Sequence, residues 1–256
     1  MRAAIITIAG VSSRFNQGIP EDEKRHKIIY FEGDRKDSLL YHLLEKCMYA
    51  DRIVLVGGYM YEEVSAYINE LPEDMRSKIM LAYNEHYADL ASGYSLYVGL
   101  KALFDSCSDI EEVLFVEGDL NIDRESFAKV VSSDKNVLTF CYEPIYANKA
   151  VVLYKDGEGH FKYAFNSSHG LLKIDDPFEM ILNSGQCWKF KDSQILKAAN
   201  EKFFAENKGG TNLVIIQNYI DACKSDDFEL AGLKTWTNCN TRDDYRKILK
   251  YWENEK

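Results

Sequence analysis

Two stretches near the start of the chain hold the residue types that bind a phosphate chain. The apolar run Ala3, Ala4, Ile5, Ile6, Thr7, Ile8 leads into Ala9-Gly10-Val11-Ser12-Ser13-Arg14-Phe15, and Lys27 follows a polar stretch. A strand that ends in a small-residue turn exposes backbone N–H groups, and Arg14 and Lys27 add fixed positive charge beside them, which suits a triphosphate. The loop is neither the dinucleotide fingerprint G-x-G-x-x-G nor the P-loop G-x-x-x-x-G-K-[ST], so those two readings drop. The competing reading is a plain strand-to-loop turn with solvated basic residues. For Lys27 it has weight, because Glu21, Asp22, Glu23, Lys24 and Arg25 mark a charged surface loop.

A second apolar run, Leu114-Phe115-Val116-Glu117-Gly118-Asp119, delivers a carboxylate to an open strand end. Asp119 there is the candidate hard-oxygen ligand for Mg²⁺, with a structural turn aspartate as the alternative. Glu117 and Asp123 rank below it, since strand alternation points Glu117 the same way but deeper. Between Tyr83 and Tyr97, Asn84 and Ser92 place small polar groups next to a helix start and are candidates for nucleotide contact; capping by Ser92, with Tyr94 and Tyr97 in the core, competes. Trp188, with Tyr146, Tyr163, Tyr219 and Trp236, suggests an aromatic cage for a cationic acceptor, with core packing as the alternative. His26, His86 and His169 fall in loops, and no histidine has ligand spacing.

These residues need a scaffold, and the hydrophobic periodicity supplies one. Strand patterns recur at Ala3–Ala9, Arg52–Gly57, Lys78–Tyr83, Glu112–Glu117 and Val137–Tyr142, alternating with helical patterns at Ser38–Met48, Tyr61–Asn69, Ser92–Phe104 and Arg124–Val131. Such alternation predicts a largely parallel sheet with helices on both faces and a ligand site beyond the carboxyl ends of the strands. Gly10, Gly57, Gly58, Asn84 and Asp119 all fall there. Past Tyr142 the pattern changes to two runs, Lys149–Tyr154 and Phe161–Phe165, joined by a turn rich in Asp and Gly that reads as a hairpin. Helices follow near Ser193–Ala205 and Asn212–Ala222, and a last one opens at Thr241 with Asp243 and Asp244 in its first turn.

Composition narrows the partners. With 256 residues and a formal net charge of −10, the chain is long enough for one large α/β domain and too acidic for a general nucleic-acid or membrane-surface binder. Six scattered cysteines without C-x-x-C spacing read as free thiols, and no stretch matches a signal peptide or a membrane span, so a cytoplasmic location is expected.

Taken together, these motifs resemble the nucleotidyltransferases with a GT-A-like fold, and within them the bacterial CTP:phosphocholine cytidylyltransferases. The likeness runs through Ile8 to Phe15, Val54 to Tyr59, Tyr83 to Tyr97, Phe115 to Asn121, Ser184 to Trp188 and Asn240 to Leu249. It implies a Rossmann-like three-layer α/β/α sandwich spanning residues 1–256, with a nucleotide-binding half (1–142) and an acceptor-side half (143–256). The residues it implies for the nucleotide are Ala9, Gly10, Val11, Ser12, Ser13, Gly58, Asn84 and Ser92. Arg14 and Lys27 would bind phosphates, Asp119 and Asn240 would hold Mg²⁺, and Tyr94, Ser184 and Trp188 would meet the acceptor.

The implied reaction is transfer of CMP from CTP to a small phosphorylated or phosphonylated acceptor such as phosphocholine. Three positions depart from the family pattern: Ser12 stands for a second glycine, His26 for the proline before the lysine, and Asn240 for a second metal-binding aspartate. The amide would hold the ion with one negative charge fewer. The alternatives are a transferase that uses another nucleotide or a sugar-phosphate acceptor, and a regulatory module that binds nucleotide without turnover.

Overall fold

The computed structural model describes residues 1–148, 150–165 and 171–255; Lys149 and His169, named above, lie outside them. The first half alternates as its periodicity predicts: β1 (Arg2–Thr7), α1 (Leu39–Cys47), β2 (Arg52–Gly57), α2 (Tyr61–Asn69), α3 (Glu73–Arg76), β3 (Ile79–Tyr83), α4 (Ser92–Ser106), β4 (Glu112–Glu117), β5 (Leu120–Ile122), α5 (Arg124–Ser132) and β6 (Asn136–Cys141). The predicted hairpin is β7 (Val151–Asp156) and β8 (Phe161–Phe165). Then come β9 (Phe178–Phe190), α6 (Ser193–Asn207), α7 (Asn212–Asp221), β10 (Phe228–Leu233), β11 (Trp236–Asn238) and α8 (Arg242–Glu255).

Among the described residues, the main sheet has nine strands and runs β10-β6-β9-β4-β1-β2-β3, with β7 and β8 attached through β9. β4, β1, β2 and β3 are mutually parallel, and β4, β1 and β2 bury both faces, which is why those three read as continuous apolar runs, while β3 is the half-buried edge strand. Successive residues part to opposite layers. Ile6, Leu55 and Val116 pack with Leu43 of α1, Val64 of α2 and Ile248 of α8, whereas Ile5, Val56 and Phe115 pack with Leu100 of α4, Leu196 of α6 and Ile216 of α7. That arrangement is the expected three-layer α/β/α sandwich.

The sequence reading leaves out α3, β5, β10, β11 and, most consequentially for the sheet, β9. It runs antiparallel to β4 on one side and β6 on the other, pairing Trp188 with both Phe115 and Leu138. Its interior Asn183-Ser184-Gly185 has the composition of a turn, which hides a buried central strand from local pattern. A register shift against β6 falls between Leu138 and Phe140, which pair with Trp188 and Ser184, so the β9 chain bulges at Gly185, Gln186 and Cys187. Thus strands on both sides of residue 142 interleave in one sheet. No helix among the described residues is long and apolar enough to cross a membrane.

Candidate active site

At the carboxyl end of β1, Ile8 still donates its N–H to Val56, and then the chain turns away. Ser12 takes a left-handed conformation (φ 54°), its carbonyl accepts from Asn16 N–H, and its Oγ accepts from the N–H of Lys27 at 3.3 Å. Among the described residues, the N–H groups of Gly10 and Val11 have no partner, so they are available to an anion. Val11 and Ser13 lie exposed on the loop surface. The sequence reading gives His26 no role, yet the side chain is 1% exposed. Its Nε2 donates to the carbonyl of Ile8 at 2.8 Å and its Nδ1 accepts from Ile28 N–H, which clamps the Lys27 segment to the strand end. Burial pushes the ring pKa down to about 4, so the imidazole is neutral at pH 7.

Lys27 reaches across the loop and donates to Asp119 Oδ2 at 2.5 Å. Asp119 is held in place by its own backbone, whose carbonyl accepts from Cys239 N–H; this contact also brings Asn240 to the site. Arg14 then donates to Asn240 Oδ1 at 2.7 Å. Gly118, between the two carboxylates, must lack a side chain, because a Cβ there would sit 2.4 Å from Ile8 Cγ2. Arg14, Lys27, Asp119 and Asn240 therefore converge from four separate segments of the chain.

Beside them opens a cavity of about 230 Å³ bordered by Ala9, Gly10, His26, Lys27, Ser92 and Asp119. Glu117 also borders it and lines a neighbouring cavity of about 190 Å³, together with Ser92, Trp188, Gln186, Phe165 and Asn212. Burial first, then the Asp119 carboxylate, push the Glu117 pKa up to about 7. The Asn212 amide donates to Glu117 Oε1 at 2.8 Å, while Ser92 Oγ donates to Asn212 Oδ1 at 3.2 Å.

A model of the family described as "Domain of unknown function (DUF6564)" matches residues 23–252. The chain belongs to this family. The family match starts beyond the Gly10 to Arg14 loop and includes Lys27, Glu117, Asp119 and Asn240. No curated protein matches. Solved structures do match across almost the whole length. The inositol-1-phosphate CTP transferase from T. maritima has a TM-score of 0.65 at 16% identity, covering 98% of this chain and 94% of its own. The CTP:phosphocholine cytidylyltransferase from Streptococcus pneumoniae (LicC) has 0.64 at 16%, covering 98% and 99%. A putative glucose-1-phosphate thymidylyltransferase from Bacillus anthracis has 0.68 at 12%, covering 98% and 95%. At these identities the likeness establishes a nucleotidyltransferase fold.

The other expected site residues are distributed less evenly in this member of the family. Gly58 borders neither of these two cavities but lets Tyr87 approach, since a Cβ there would meet Tyr87 Cβ at 2.5 Å. Asn84 is buried and spent on structure, donating to Ser95 Oγ and accepting from His86 N–H. Tyr94 borders neither cavity and packs edge-on against His86 at 4.9 Å. Ser184 is 1% exposed, accepts from Gln186 N–H and borders neither cavity. Trp188 does line the second cavity, stacked on Phe115 with Nε1 donating to Tyr163. The five-membered aromatic cage does not assemble. Tyr219 packs on Phe190 and Phe228, Trp236 donates to the Gly185 carbonyl from the small β5/β11 sheet, and Tyr146 is exposed, whereas Tyr163 packs edge-on against Trp188. Asp123 is not a ligand either: it caps α5, accepting from Ser126 and Thr235 N–H groups. The sequence reading passes over Asn212 and Gln186, which have no motif, and ranks Glu117 low although strand alternation puts it beside Asp119.

Proposed function

We propose that this chain is a Mg²⁺-dependent cytidylyltransferase that transfers CMP from CTP to a small phosphorylated or phosphonylated acceptor of the phosphocholine type and releases pyrophosphate. The observation that carries the reading is the convergence of Arg14, Lys27, Asp119 and Asn240 beside a cavity bordered by the loop at the end of β1. The fold it shares with the matched structures supports nucleotidyl transfer, and the two CTP-using transferases among them, of inositol 1-phosphate and of phosphocholine, support the choice of nucleotide and acceptor class.

In this reading the free N–H groups of Gly10 and Val11, with Arg14 and Lys27, hold the phosphate chain. Once phosphate oxygens reach Lys27, its ammonium exchanges the Asp119 carboxylate for them, and Asp119 becomes available. Asp119 and the Asn240 carbonyl are hard oxygen donors of the kind Mg²⁺ takes, usually one or two protein oxygens completed by substrate phosphates, so the residues fit the ion. When bound, Mg²⁺ would neutralise charge on the triphosphate and on the departing pyrophosphate. An acceptor phosphate or phosphonate oxygen attacks the α-phosphorus, a new P–O bond forms, and the bond to the β-phosphate oxygen breaks with its electron pair leaving on pyrophosphate. The enzyme's task is alignment and charge stabilisation, without a covalent intermediate.

The test is pyrophosphate release with each of the four NTPs and Mg²⁺ against a panel of phosphocholine, other aminoalkyl phosphates, aminoethylphosphonate and sugar 1-phosphates. CTP with one acceptor is expected to give release, and Asp119→Ala to lower it by about 100- to 1,000-fold at unchanged thermal unfolding. Silence across the panel from a protein that still binds nucleotide would overturn the reading in favour of a binding module.

A further inference from the structure

We propose that the acceptor carries a primary ammonium group at the end remote from its phosphate or phosphonate, and that Glu117 and Gln186 select it; this rests on the nucleotidyl-transfer reading above. The smaller cavity shares Ser92 and Glu117 with the larger one, so a molecule held there has one end next to the site assigned to the nucleotide. Its walls are apolar where Trp188, Phe165 and Leu213 line it, which suits a short methylene chain.

Two buried oxygens on the wall of this cavity lack donors among the described residues, and a carboxylate stands on the same wall. Glu117 accepts one hydrogen bond, from Asn212, while the neighbouring cation Lys27 donates to Asp119 instead. Gln186 is held at the β9 bulge in a left-handed conformation (φ 53°), a backbone state that costs a residue with a Cβ, and bulges of this kind re-aim a side chain. Its Oε1 is buried without a partner among the described residues, and so is Oγ1 of Thr211, which lines the same cavity. Buried oxygens without donors are costly, and a carboxylate without a cation more so.

Ligand chemistry separates on these two needs. A trimethylammonium supplies charge but no N–H, and a polyol supplies O–H groups but no charge. A primary ammonium supplies one positive charge and three donors, enough for Glu117, Gln186 and Thr211 together.

The experiment compares phosphoethanolamine, 2-aminoethylphosphonate, phosphocholine and glycerol 3-phosphate as acceptors with each of the four NTPs, reading kcat/KM from pyrophosphate release, and as ligands by titration calorimetry. The two primary amines are expected to exceed both others by about 10- to 100-fold in kcat/KM and in affinity. Glu117→Gln and Gln186→Leu are each expected to shrink that preference, and cooperative thermal unfolding of each variant reports whether the protein is folded. Equal or better use of phosphocholine or glycerol 3-phosphate overturns this inference and leaves nucleotidyl transfer standing. A preference that survives both substitutions overturns the assignment to Glu117 and Gln186. Absence of release with every pair overturns the transfer reading and this inference with it.

Discussion

His26 shows how one side chain can set the geometry of a site without touching a reacting atom. It stands where the family resemblance places proline, and its two ring nitrogens do by hydrogen bonding what a rigid ring does by fixed φ: they hold Lys27 next to the end of β1. The clamp needs a neutral imidazole. The folded-state pKa is lowered from 6.5 to about 4, so the unfolded chain binds the proton first as the pH falls. The contribution of this buried neutral ring is therefore complete above pH 6.5 and is lost as the pH drops toward 4. Urea unfolding of the wild type and of His26→Gln should show their stability difference shifting against the wild type by about 3 kcal/mol between pH 7 and pH 4. A difference that is constant with pH would mean that the ring is not buried in its neutral form.

The bulge in β9 trades stability for orientation. Gln186 pays for its left-handed backbone to reach the cavity, and Ser184 steadies the turn by accepting its N–H at 3.2 Å. Glycine tolerates that conformation without a Cβ penalty, so Gln186→Gly is expected to raise stability by up to about 1 kcal/mol in urea unfolding while weakening aminoalkyl acceptor binding. A loss of stability would mean that the Gln186 side chain is a packing element. At this scale the β1, β2 and β4 strands and helices α1, α2 and α4 are legible from sequence because each has a regular period and a clear stop. β9 is not, since its Asn-Ser-Gly centre reads as a turn, and only hydrogen bonding to β4 and β6 on its two sides makes it a strand.

For the molecule as a whole, β9 joins the two halves. It covers the edge of β4 with the parallel block on one side and the edge of β6 on the other, and it places fully buried Trp188 against Phe115 and Leu138. A chain cut after residue 142 would expose both edges and the apolar layer that α6 and α7 cover. Its urea unfolding is expected to lose cooperativity and its near-ultraviolet dichroism to collapse; a cooperative transition in that fragment would show that the first half folds alone. The sequence by itself determined the layered α/β class, the loop after β1, and Arg14, Lys27 and Asp119 as the candidate chemistry, because strand and helix periods and turn composition are properties of near neighbours in the chain. Only the tertiary structure decided which of the candidates meet. Lys27 and Asp119 are 92 residues apart and Arg14 and Asn240 are 226 apart, so their pairing depends on long-range sheet order and backbone clamps such as Cys239 on Asp119. The same long-range packing took Tyr94, Tyr219 and Asp123 away from the site and brought in Gln186 and Asn212, whose local sequence carries no signal of where their side chains end, whereas the position of Glu117 beside Asp119 follows from strand alternation.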